Sequence, residues 1–254
     1  MLRALAKDTF FAFNSTPIGE RASILSYHNI GSDAAFFTVR PQALEKQFAY
    51  LRSRGLKVVF LSDLIRKLKA KEDISGLVAL TFNDGYASTY TEVLPLLKKY
   101  DMRAAVFSSV EYLDTSVKTS DGFTFKTLSQ AQLRDMLESG LFEFFPQTQH
   151  RVPLDNVAYE GAAMKIDQAR VDLESVIKKD ARVFCFPKGR YTQKLLEHLA
   201  SHDWLGAVTV REGLVSKDSD PYTLPRNSVD SKTSFVQFKG KVSGAIDAYV
   251  RSKK

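Results

Sequence analysis

The chain has 254 residues, 44% apolar and 26% charged, with a formal net charge of +7. This is an ordinary globular composition, long enough to bury a substantial core in one large domain or two small ones. No apolar run reaches the roughly eighteen residues of a membrane-spanning helix, and the single cysteine, Cys185, excludes an internal disulfide or a cysteine-built zinc cluster.

Basic residues are scattered apart from KLKAK at 67–71 and the terminal RSKK, so there is charge but no motif for nucleic acid. The positive balance suits anionic partners such as nucleotides, acidic glycans or lipid head groups. At the start, MLRALAKDTFFAFNS carries early positive charge and an apolar patch at 10–13, which Lys7 and Asp8 separate from the residues before it. It reads as a short amphipathic segment rather than a signal peptide, so a cytoplasmic location is expected.

Strand-like apolar runs then alternate with amphipathic stretches. ASILSYHNI (22–30) predicts a strand, and PQALEKQFAYLRSRG (41–55) a helix stopped by Gly55. KVVFL (57–61) predicts a strand and SDLIRKLKAK (62–71) a helix capped by Ser62. LVALTF (77–82) has the pattern of a buried strand, and STYTEVLPLLKKY (88–100) of a helix that Pro95 kinks. RAAVFSS (103–109) predicts a strand, 114–122 a polar loop, and SQAQLRDMLESG (129–140) a helix. FEFFP (142–146) and ARVFCFP (181–187) are strands around a helix over 157–179; TQKLLEHLASHD (192–203) is a helix and LGAVTV (205–210) a strand. The alternation predicts an α/β fold with a parallel sheet or barrel and crossover helices, in one domain. Residues 1–20 read as an N-terminal extension and 212–254 as a less regular segment that closes the barrel.

Ligands in such folds sit beyond the C-terminal ends of the strands. The residues there are Tyr27-His28, Asn83-Asp84, Gln147 to His150, Pro187 to Arg190, and those after Val210. Asn83-Asp84-Gly85 is a good turn in its own right, since Asn and Asp tolerate left-handed backbone and Gly favours it. Tyr27 reads as core. His198 and His202 are four apart on a helix, a metal-compatible spacing that lacks a third nearby ligand, so an ordinary helix face is expected. Trp204 is either packed or a sugar platform.

In order, SYHNI (26–30), LTFNDGY (80–86), EFFPQTQHRVPL (143–154), FCFPKGRY (184–191), LGAVTVREG (205–213), TLPRNSV (223–229) and FKGKVSGAIDAY (238–249) resemble the polysaccharide deacetylase family with the NodB homology domain. The resemblance implies a distorted (β/α) barrel and metal-dependent removal of N-acetyl groups from carbohydrate, with an N-acetylated glycan or glycoconjugate as partner. It implies a divalent metal, usually zinc, held by the second Asp of a Thr-Phe-Asp-Asp-Gly motif and two His of a His-(Ser/Thr)-x-x-His motif. The first Asp would be the base on a water.

This chain departs at both motifs. Asn83 stands in the position of the base, and an amide cannot accept a proton near neutral pH. Asp84 matches the metal-binding Asp. Gln147 and His150 fall on the second motif, and under either of two alignments its first histidine is missing. His28 is a further candidate for ligand or substrate contact. Pro187 belongs to the wall-forming aromatic-Pro-x-Gly motif, Arg190 and Tyr191 follow it as sugar contacts, and Arg226 is placed to orient a carboxylate or substrate oxygen. Two function classes follow: a deacetylase with weakened or altered chemistry, and a non-catalytic module that binds glycan or protein. A third reading, a basic protein docking on anionic surfaces, rests on charge alone.

Overall fold

A computed structural model describes residues 2–148 and 152–253. The chain opens with helix α1 (Leu2–Phe13), then strand β1 (Ser23–Tyr27), helix α2 (Pro41–Ser53), strand β2 (Lys57–Val59) and helix α3 (Leu61–Lys69). Strand β3 (Leu77–Asn83) leads through a π-helical turn over Thr89–Val93 into helix α4 (Leu94–Tyr100), and strand β4 (Ala104–Ser108) follows. Next come strands β5 (Ser116–Lys118) and β6 (Thr124–Lys126), helix α5 (Gln130–Glu138), strand β7 (Phe142–Pro146) and helix α6 (Tyr159–Ile177). The remainder is strand β8 (Val183–Cys185), helix α7 (Gln193–Ser201), strands β9 (Gly206–Val208) and β10 (Asn227–Ser228), and helices α8 (Phe235–Lys241) and α9 (Ala245–Arg251).

The parallel sheet runs β10-β1-β3-β4-β7, with β2 also alongside β3. A second parallel pair, β8-β9, continues the curve through single bridges: Gln147 to Cys185 on one side and Val208 to Leu224 on the other. The stretch from Leu224 to Ser228 therefore touches β9 at its start and β1 at its end, where Leu25 faces Asn227 and Ser26 faces Ser228. This is the expected distorted (β/α) barrel, with joints of one bridge each instead of continuous ladders. All seven residues of β3 are buried, as a strand covered on both faces requires.

Three local expectations are corrected. Ser62 does not cap α3: the cap position is Phe60, and the Ser62 amide donates to Glu143 Oε1 of β7 at 3.0 Å. The 114–122 loop is part of an antiparallel hairpin, β5 with β6, because Asp121-Gly122 turns the chain between Val117 and its partner Phe125. Pro95 sits in the first turn of α4, and the π-helical turn before it absorbs the disruption that a mid-helix kink would have carried.

Candidate functional site

Asp84 and Gly85 both have left-handed backbone, with φ of 73° and 60°, so β3 ends in a turn that reverses the chain over its own tip. A Cβ on Gly85 would lie 2.6 Å from Ser108 Oγ at the end of β4, which is why the third residue of the turn is Gly. The same device closes β8: Lys188 and Gly189 have φ of 54° and 68°, and a Cβ on Gly189 would lie 2.8 Å from the Val210 amide nitrogen. These turns and the ends of β1, β7 and β10 enclose a cavity of about 280 Å³.

Asn83 is buried at its floor. Its Oδ1 accepts from Arg226 Nη1 at 2.8 Å, and its Nδ2 donates to Ser26 Oγ at 2.9 Å and to the Tyr27 carbonyl at 3.2 Å. Arg226 is donor-only and a carbonyl acceptor-only, so these partners fix which way the amide points. His28 Nε2 lies 3.3 Å from the same Nδ2. Asp84 Oδ1 accepts from Gln147 Nε2 at 3.1 Å, with both residues buried.

Arg226 is 2% exposed. Its Nε donates to the Thr209 carbonyl at 2.9 Å, Nη1 also to Thr81 Oγ1 at 3.3 Å, and Nη2 to Cys185 Sγ at 3.1 Å. Thr81 and Asn83 are two apart on β3, so both face the guanidinium. The guanidinium lies 5.2 Å from the Phe107 ring centroid, and among the described residues no carboxylate pairs with it. Burial pushes the Cys185 thiol up; Arg226 pulls it partly back down, while Asp84 adds to the rise.

The structure thus brings together His28, Asn83, Asp84, Gln147, Pro187 and Arg226 around one cavity. It does not bring Arg190 or Tyr191 there. Arg190 forms an ion pair with Asp155 at 2.7 Å, and the Tyr191 ring packs 5.1 Å from that of Phe186 in a second core. Their neighbours in sequence are turned by the left-handed Lys188-Gly189 step, which points Lys188 at the cavity instead. His150 lies outside the described residues. Lys188, from within the Pro187 to Arg190 span, lines the cavity, and so do Cys185, Ser26, Ser228, Phe37 and Tyr86, which the strand-end reading does not name as site residues. Alternation along β1 and β10, which puts Ser26 with His28 and Ser228 with Arg226, could have found the two serines.

Tyr27 is core, its hydroxyl donating to Gln47 Oε1 at 2.9 Å. Trp204 is packed against Phe184 rather than lining the cavity, and His198 pairs with Asp167 at 3.0 Å while stacking on His202.

Residues 70–205 match the polysaccharide deacetylase family profile. The chain belongs to the polysaccharide deacetylase family. Among similar proteins, the Escherichia coli K12 poly-beta-1,6-N-acetyl-D-glucosamine N-deacetylase is 26% identical over 86% of this chain and 38% of its own length. The chain therefore spans well under half of that relative. The Staphylococcus epidermidis protein of the same name is 23% identical over 88% of this chain and 78% of its own length. The Streptococcus pyogenes deacetylase PplD, solved in complex with acetate, superposes with a TM-score of 0.76 at 21% identity, covering 90% of this chain and 100% of that one.

Metal dependence is general in the polysaccharide deacetylases. The described residues of this chain do not assemble such a centre: none of them form a group of three or more His, Cys, Asp or Glu side chains able to share an ion. Among the described residues Asp84 is the one carboxylate lining the cavity, and Gln147 turns its NH₂ group, not its carbonyl, toward it.

Proposed function

We propose that this chain is a carbohydrate deacetylase-like protein that receives N-acetylated glycan in the cavity at the strand ends. The observation that carries this reading is the presentation of Asp84 on a left-handed turn at a cavity floor, in a chain of this family. The Escherichia coli and Staphylococcus epidermidis relatives named above are deacetylases of an N-acetylated polysaccharide, and the proposal extends that substrate class here.

What the residues do can be stated without a metal step. Asp84 supplies a negative charge, held in place by Gln147. Arg226 supplies positive charge from the opposite strand end, and His28 offers a half-buried ring nitrogen. Phe37 and Tyr86 stack at 5.9 Å with rings 7° from parallel, an apolar wall against which a sugar ring can lie.

A second reading, glycan binding without hydrolysis, is favoured by Asn83. Its acceptor is engaged by Arg226 and its donors by Ser26 and Tyr27, so it holds no group that can take a proton from water. The test measures acetate release from N-acetylglucosamine oligomers, and their binding, for wild type and Asp84→Asn. Release above the Asp84→Asn variant supports catalysis; binding without release supports the second reading; neither sinks both. Metal analysis of the dialysed protein belongs beside it. Retention of one zinc, lost in Asp84→Asn, would show a centre completed by residues beyond those described.

A further inference from the structure

A buried guanidinium ordinarily needs a counter-charge, because neutral hydrogen bonds offset only part of its lost hydration. Among the described residues Arg226 makes four hydrogen bonds, all to uncharged acceptors: Thr209, Thr81, Asn83 and Cys185. A guanidinium carries five N–H donors, so one on Nη2 has no acceptor among the described residues. Arg226 nevertheless lines the cavity.

The surroundings add donors on the same wall. Ser26 and Ser228 are register partners on β1 and β10, and both line the cavity. Ser26 Oγ accepts from Asn83, which leaves its own proton free to point elsewhere. Lys188 is exposed at the rim, held there by its left-handed backbone, and among the described residues it has no ion-pair partner. Among the described residues the lining therefore holds two cations, Lys188 and Arg226, against one carboxylate, Asp84, which is engaged by Gln147.

We propose that the cavity is a receptor for a carboxylate, which supplies beside Arg226 the counter-charge that residue 83, being an amide, does not. The inference rests on the cavity being the ligand site of the function proposed above, and it narrows the ligand to one carrying a carboxylate. Two sources share that chemistry: the acid group of an acidic sugar, and a small free carboxylate such as the acetate that deacetylation releases.

The experiment titrates the full chain with sodium glucuronate, sodium acetate and neutral glucose at constant ionic strength, followed by calorimetry. Saturable binding of a carboxylate, absent for glucose and weakened by added salt, is expected. Asn83→Asp places a carboxylate on Arg226 from within, and should weaken the anion by about tenfold or more. Lys188→Gln, at an exposed position that leaves folding intact, should weaken it by about threefold. Tighter binding of glucuronate than acetate assigns the site to an acidic sugar; equal affinities assign it to the small carboxylate. The proposal is overturned if neither carboxylate binds wild type, or if both variants bind them as well as wild type does. Neutral N-acetylglucosamine oligomers run alongside keep the two readings apart. If the oligomers bind while both carboxylates fail, only the carboxylate proposal falls; the converse removes only the glycan reading.

Discussion

At the residue scale, the informative position is 83. An amide there serves two groups that no other single side chain of that size satisfies together: a guanidinium that only donates and a main-chain carbonyl that only accepts. Truncating it leaves both short of a partner in a buried place. Asn83→Ala should lower stability by about 2 kcal/mol, read by urea denaturation, with unchanged secondary structure by circular dichroism. Asn83→Asp keeps the Arg226 bond and turns it into an ion pair while setting the other oxygen against the Tyr27 carbonyl. Its melting temperature should stay within a few degrees of wild type, because one change offsets the other. A collapse of the fold in that variant would show that donation to Tyr27 outweighs the charge on Arg226.

At the element scale, turns and strand-to-helix contacts position the site. Gly85→Ala demands a positive φ and pushes a methyl toward Ser108, so a loss of about 1–3 kcal/mol is expected in thermal or urea unfolding. The start of α3 depends on Glu143 of β7, whose carboxyl is raised to about 7 by burial, partly offset by hydrogen bonds from Ser62 and Leu61. Its folded-state value lies above the unfolded one. The group therefore adds stability that is fully present below about pH 4.5 and is lost as pH rises through 7. Wild type should lose more stability between pH 5 and pH 8 than Glu143→Gln, whose neutral side chain does not titrate. Equal losses in urea titrations at the two pH values would remove Glu143 from this role.

At the scale of the whole molecule, the two ends of the chain are fastened to each other. The Phe11 ring of α1 is buried, 5.1 Å from that of Tyr249 on α9, and Asp8 accepts from Ser234 and Gln237 at the start of α8. The segment that reads as an extension is thus tied to the segment that brings Arg226 and Ser228 against β1. Phe11→Ala should cost about 3–5 kcal/mol and unfold the domain in a single urea transition if the ends are coupled to the barrel. A separate early transition, with the remaining protein stable, would show that α1 is an appendage.

The order of strands and helices was legible in the sequence because hydrophobic period and turn residues are local properties. The run at 77–82 and the Gly just past α2 and α5 act on their own neighbours. Asp84 was legible too, since Asn-Asp-Gly specifies a left-handed turn wherever it stands. The fate of Arg190 and Lys188 was not, because one left-handed residue decides which of two adjacent cations faces the cavity. Nor was the capping of α3, which comes from Glu143, 81 positions away from Ser62. The sequence by itself determined the α/β alternation and the placing of Asn83 and Asp84 at a strand end, and its family resemblance implied the barrel. Only the tertiary structure decided that Asn83 is saturated by Arg226, Ser26 and Tyr27. It also decided that the guanidinium is buried without a carboxylate among the described residues, since that balance of charge depends on three strands meeting.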